Sequence, residues 1–218
     1  MNGKIIILFW CFAALWLNSF GQSKNRKPDL SKGNLLTVGR DVSLSTDGQR
    51  NTIVHLNAKP GPGVAWIKNL AFSKGIIELD IKGKDVLQES FVGIAFHGIN
   101  DTTYEAVYFR PFNFQSTDSV RHTHAVQYVF LPEFDWSYLR ETYPGKYENN
   151  LTNVVDPNQW FHAKIKIDKD KIEVFVNKDE KPSLVVKPLS GNISGKIGFW
   201  VGNNSDGDFS NLIIKTNE

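Results

Sequence analysis

Between Ser90 and Trp136 the chain carries three runs rich in β-branched and aromatic residues, at 91–97, 104–110 and 124–130, bounded by Gly98, Asn100, Asp101, Pro111 and Pro132. Apolar runs of this length between turn formers read as consecutive strands of one sheet. Period-two alternation then sorts their side chains onto two faces. On the first run Val92, Ile94 and Phe96 form a bulky face, and Gly93, Ala95 and His97 form the other. On the second, Glu105, Val107 and Phe109 oppose Tyr104, Ala106, Tyr108 and Arg110. The third sets His124, Val126, Tyr128 and Phe130 against Ala125, Gln127 and Val129. An amide buried without partners costs about 1–3 kcal/mol, which assigns Gln127 to the polar side. The expected surface therefore holds His97, Tyr108, Arg110 and Gln127, with Gly93 and Ala95 small enough for a ligand to approach the backbone. A guanidinium and an amide supply paired donors and acceptors, and a tyrosine supplies a flat face with a polar tip. Those groups suit a polyhydroxylated ligand.

The flanking chain repeats the strand pattern. Candidate strands fall at 35–38, 42–45, 52–57, 65–67 and 75–82 before the central stretch, and at 160–167, 171–176, 183–186, 196–202 and 209–215 after it. Asp47-Gly48, Pro60-Gly61-Pro62-Gly63, Lys169-Asp170 and Asp206-Gly207 mark the turns between them. Residues 135–142 have the marks of one or two helical turns, with Asp135 as N-cap and Pro144-Gly145 as the stop. Many short strands, one short helix and no internal repeat predict an all-β fold, a two-sheet antiparallel jelly-roll sandwich.

Lys4, an apolar run at 5–17 and small residues at Ser19 and Gly21 form a secretory signal, with cleavage expected after Gly21. The expected organisation is a signal at 1–21, a polar tether at 22–34 and a jelly-roll domain at 35–218, in a secreted or periplasmic protein with no membrane insertion after cleavage. Cys11, the single cysteine, falls within the signal, so disulfides and thiolate zinc sites are excluded from the mature chain. A formal charge of +2 from 25 basic and 23 acidic residues argues against nucleic acid as a partner. Six Trp and 15 Phe fit an aromatic core and also stacking platforms for sugar rings.

Other clusters are weighed against simpler readings. Glu78 and Asp80 share one strand face and read as an outward polar surface. His122 and His124 are spaced to share a strand face, yet lack a placed third ligand, and residues 202–208 read as a turn rather than a calcium loop. No metal site is assigned. Glu133, Trp136, Arg140, Tyr147 and Glu148 form a second polar and aromatic cluster. It is either loop anchoring, with a Trp on the sheet and an Arg–Glu pair, or the wall of a cleft.

The blocks GIIELDIKG, VGIAFHG, YFRPFNF, HAVQYV, WFHAKIKI with KIEVFVN, and GKIGFWVGNNSDGDFSNLIIK resemble the concanavalin A-like lectin/glucanase superfamily. The nearest resemblance is to secreted bacterial domains of the glycoside-hydrolase-16-like or 3-keto-disaccharide hydrolase-like, LamG type. It implies a jelly roll with a carbohydrate ligand on its concave sheet. Arg110 matches the Arg ending the family's F-F-R strand, and Gln127 the Gln of its E-x-Q-x-x-D strand. Ala125 and Phe130 stand where that strand's acids belong, and Lys82, Gly83 and Lys84 follow Glu78 and Asp80 where the E-L/I-D-x-x-E signature places its acid/base Glu. The expected ligand contacts are His97, Tyr108, Arg110, Asn113, His124, Gln127, Trp136 and Arg140. A hydrolase would draw its carboxylates from Glu105, Glu133 or Asp135.

Overall fold

The computed structural model describes residues 23–217, so the expected signal peptide lies outside the described residues. Fifteen strands follow in order: β1 (Ser23–Arg26), β2 (Leu35–Val38), β3 (Val42–Thr46), β4 (Thr52–Leu56), β5 (Gly63–Phe72), β6 (Gly75–Lys82), β7 (Val92–Gly98), β8 (Tyr104–Phe109), β9 (Val126–Leu131), β10 (Glu148–Asn149), β11 (Phe161–Ile167), β12 (Ile172–Val176), β13 (Leu184–Val186), β14 (Gly195–Val201) and β15 (Gly207–Asn217). Two short helices interrupt them, α1 (Ser119–His122) and α2 (Trp136–Thr142).

The strands form two sheets in which the named pairings are antiparallel. One runs β13-β12-β11-β6-β15-β4-β3 with β1 added on β15; the other runs β10-β9-β8-β7-β14-β5-β2. Alternation explains why they stack. In β6, Ile77, Leu79 and Ile81 are fully buried while Glu78 and Asp80 are partly exposed; β11 alternates in the same way. Across the gap Phe109 meets Phe161 at 5.0 Å, and Phe199 stacks on Phe209 at 4.9 Å. Those contacts identify Val107, Phe109 and Phe199 as inward residues of the seven-stranded sheet. Their alternates, Tyr108 and Trp200, point outward.

Several expectations need revision. The polar stretch at 22–34 is more than a tether in its described part: Ser23–Arg26 pairs with β15, and Leu30 is buried. Residues 119–122 are helical, with the Asp118 carboxylate accepting from the backbone N–H of Val120 and Arg121. His122 therefore lies on a helix and His124 precedes β9, so the two share no strand face. The helix at 136–142 agrees with the sequence reading, and Asp135 caps it by accepting from Tyr138 N at 2.8 Å.

His97 departs most. Between Ala95 and Gly98 the register of β7 against β14 shifts, and His97 adopts φ +50°. A bulge with one residue in the left-handed region breaks period-two alternation. His97 thus leaves the face of Gly93 and Ala95, and its Nδ1 lies 2.8 Å from Glu105 Oε1 while Nε2 meets Ser73 O at 2.5 Å.

Candidate functional site

One cross-strand row organises the outer face of the seven-stranded sheet. Reading the register from strand to strand, Val64, Trp200, Gly93, Tyr108, Gln127 and Glu148 stand side by side. Same-face neighbours directly opposite one another interact most strongly in a sheet. Gly93 sits between two rings, and a Cβ there would come within 2.1 Å of Val107 O and 2.8 Å of Tyr108 Cβ. Its missing side chain is what lets Tyr108 and Trp200 meet at 4.9 Å. The small residues expected to admit a ligand instead admit aromatic neighbours. Tyr104 extends this surface, accepting from Trp200 Nε1 at 2.9 Å and packing edge-on to Trp66.

Arg110 follows two residues after Tyr108, so its side chain returns to the same row. It is 4% exposed. Nη2 donates to Tyr108 Oη at 2.8 Å and Gln127 Oε1 at 2.5 Å, and Nη1 donates to His124 O at 3.0 Å and lies 3.5 Å from Glu148 Oε2. Glu148 is gripped from a second side by Arg140, whose Nε and Nη2 donate at 2.9 and 2.7 Å. His124 Nδ1 lies 2.8 Å from the same carboxylate. Burial pushes the Glu148 carboxyl up, but the Arg140 hydrogen bonds and the charges of Arg110, Arg140 and His124 outweigh it and hold it below the usual carboxylate range. Burial pushes the Tyr108 phenol up and, against the pull of Glu148, the His124 imidazole down. Gln127 is fully buried, and its Nε2 makes no hydrogen bond among the described residues.

Above this network lies a cleft of about 790 Å³, within the size range of small-ligand sites. Tyr108, Arg110 and Trp200 come from the sheet, Trp136 and Arg140 from α2, and Phe91 from the segment entering β7. The Arg140 guanidinium lies 5.1 Å from the Trp136 ring centroid, and half of the Trp136 surface is exposed. Aromatic faces edged by polar donors are what sugar recognition uses.

The structure brings Tyr108, Arg110, Asn113, His124, Asp135, Trp136 and Arg140 onto this one cleft, with Gln127 hydrogen-bonded to two of them. It does not bring His97 or Glu105 there. Glu105 is 1% exposed on the inward face, bound to His97 and to the Tyr128 hydroxyl. A carboxylate enclosed in this way reaches no ligand in the cleft, so the catalytic expectation for Glu105 is withdrawn. Glu133 is exposed and does not line the cleft. The cluster at 133–148 joins both of its readings, since the Arg140–Glu148 pair anchors the element that presents Trp136. Sequence reasoning missed Trp200 and Arg121. Alternation along 196–202 marks Trp200 with Gly198, whereas Arg121 reaches the cleft only because α1 forms.

No family model matches the chain, and no curated protein matches it in sequence. Solved structures do. The carbohydrate-binding module CBM66 from Bacillus subtilis is 14% identical with a TM-score of 0.54, over 82% of this chain and 96% of that one. A Bacillus licheniformis β-glucanase is 12% identical with a TM-score of 0.53, over 91% and 100%. A Bacillus subtilis protein with a galectin-like fold is 12% identical with a TM-score of 0.55, over 85% and 91%. The fold is a concanavalin A-like jelly roll.

Proposed function

We propose that this chain is a secreted carbohydrate-binding protein that holds a glycan in the cleft above Tyr108 and Arg110. The observation that carries the reading is the buried Tyr108–Arg110–Gln127–Glu148 network beneath an aromatic-lined cleft. Each polar side chain of the floor is held by another, so the donors are positioned before a ligand arrives and little entropy is lost on binding. The solved structures of like fold that are described as a carbohydrate-binding module and a β-glucanase support the same ligand class.

Glycan hydrolysis is the second reading, favoured by Asp135 in the cleft. Retaining and inverting glycosidases both need a pair of carboxyl groups, one of them with a raised pKa to act as acid. Here the Glu148 carboxyl is held low and occupied by Arg140, and Asp135 is engaged in capping α2. Those features favour binding over turnover.

The test incubates the purified protein with oligosaccharides and 3-keto glycosides, following both calorimetric binding and product. Binding without product, weakened by Trp136→Ala at an unchanged melting temperature, is the expected result. Product formation lost in Asp135→Asn would establish the hydrolase, and binding indifferent to Trp136→Ala would move the site elsewhere.

A further inference from the structure

The groups around the cleft are unbalanced in both charge and hydrogen-bonding sense. Arg110, Arg121 and Arg140 line it, and Arg40 lies directly behind Gly202 on its rim, donating to Gly202 O at 2.6 Å. Two carboxylates answer them, Glu148 and Asp135. Arg110 and Arg140 share Glu148, whereas Arg121 and Arg40 have no carboxylate within ion-pair distance among the described residues. Arg121 spends Nε on Asn113 Oδ1 at 3.2 Å and Nη2 on Phe112 O at 2.9 Å, both neutral acceptors. Arg40 is 4% exposed and donates only to the carbonyls of Gly39, Gly61 and Gly202. The Nη1 groups of Arg121 and Arg140 make no hydrogen bond within the described residues.

Most of the cleft's side-chain acceptors already hold a donor. Gln127 Oε1 receives Arg110 and Tyr108, Asn113 Oδ1 receives Arg121, Asn203 Oδ1 receives Gly61 N, and both oxygens of Glu148 receive Arg140. Asp135 Oδ2, His124 Nε2 and the exposed Gln88 amide oxygen are the side-chain acceptors of the cleft that hold no donor among the described residues. A neutral sugar presents hydroxyls that donate as well as accept, so in a cleft richer in donors than in free acceptors it is matched less well than an acceptor-only group. A carboxylate or a sulfate accepts only.

Resting on the carbohydrate reading of this cleft, we propose that its ligand is an acidic glycan, whose ring carboxylate or sulfate ester is received by Arg121 and Arg140. The aromatic rings take the sugar face, and the two free Nη1 groups take the anionic oxygens. Arg40 adds positive potential from behind the rim without touching the ligand. Charge-assisted hydrogen bonds are about twice as strong as neutral ones, and with Arg140 34% exposed their attraction remains open to screening by salt.

Calorimetry on the purified protein tests this with five probes: an oligouronate, the same oligomer after reduction of its carboxyls to alcohols, a sulfated galactan oligomer, a neutral β-glucan oligomer and a neutral mannan oligomer. The oligouronate or the sulfated oligomer is expected to bind, with affinity falling between about 20 and about 300 mM salt as the Debye length shrinks. The reduced oligomer is expected to lose that affinity. Arg121→Gln should weaken the acidic ligand by roughly tenfold or more, and Arg121→Lys should restore most of it. Wild-type salt dependence and the reduced oligomer decide the matter even if Arg121→Gln does not fold. Which acidic probe binds identifies the anionic group. Equal binding of neutral oligomers with no salt dependence overturns the acidic assignment while leaving the carbohydrate site standing. Binding of none of the probes overturns the carbohydrate reading, and the acidic assignment with it. Acidic binding that ignores both Arg121→Gln and Trp136→Ala overturns it by placing the ligand elsewhere.

Discussion

Glu148→Gln is the substitution on which the geometry of the site turns. The side chain is 3% exposed and faces Arg110, itself 5% exposed, Arg140, 34% exposed, and His124. Removing one partner of a buried ion pair costs about 3–5 kcal/mol, because a charge is left enclosed without its counter-ion. Arg140 reaches solvent, so its share is screened, and glutamine keeps one acceptor oxygen. The expected loss is therefore at the lower end, about 3 kcal/mol. For a domain of this size that lowers the melting temperature by about 6–12 °C. The carboxyl titrates below its unfolded value, so its contribution is present above the ordinary carboxylate range and fades as pH falls through the depressed value. Thermal melts by circular dichroism at pH 7 and at steps down to strongly acidic pH measure both effects. The wild type should converge on Glu148→Gln as Glu148 protonates. A variant melting within about 1 °C of wild type at pH 7 would show that Glu148 does not anchor Arg110 and Arg140, and the positioned floor of the cleft would have to be abandoned.

Three further outcomes follow. Gly93→Ala places a methyl against Val107 O and Tyr108, and is expected to cost about 1–3 kcal/mol in a denaturant melt; an unchanged midpoint would contradict the close approach of Tyr108 and Trp200. Glu105→Gln disturbs the contacts to His97 and Tyr128, costing about 1–3 kcal/mol by the same assay, and should leave glycan affinity unaltered. A loss of affinity beyond the loss of folded protein would return Glu105 to the site. Arg110→Lys, which surrenders the planar fork to Tyr108 and Gln127, should weaken calorimetric glycan binding by roughly tenfold; undiminished affinity would remove Arg110 from recognition.

Most strands were legible because two packed sheets impose a period of two, and apolar residues in β6, β7, β8 and β11 obey it. Gln127 was placed correctly for the same reason: an amide is poorly suited to the inward layer, and Tyr108 and Arg110 lie on its side. His97 was not legible, because the residue at positive φ that reverses its side chain is His97 itself and not a glycine. β1 and β10 escaped because their polar residues carry no apolar alternation, and β10 has only two residues. Gly93 was recognised as a close approach, but what approaches is a neighbouring ring rather than a ligand. Arg121 depends on a one-turn helix inside a loop, where long-range packing rather than local pattern decides.

The row from Val64 to Glu148 draws its six members from six segments scattered along the chain, and the last-made of them, Trp200, leaves the ribosome long after the first. No fragment that ends before Trp200 contains the full row. Capture on an immobilised ligand would therefore sort finished molecules from unfinished ones, and retention on such a column would serve as an assay of complete folding.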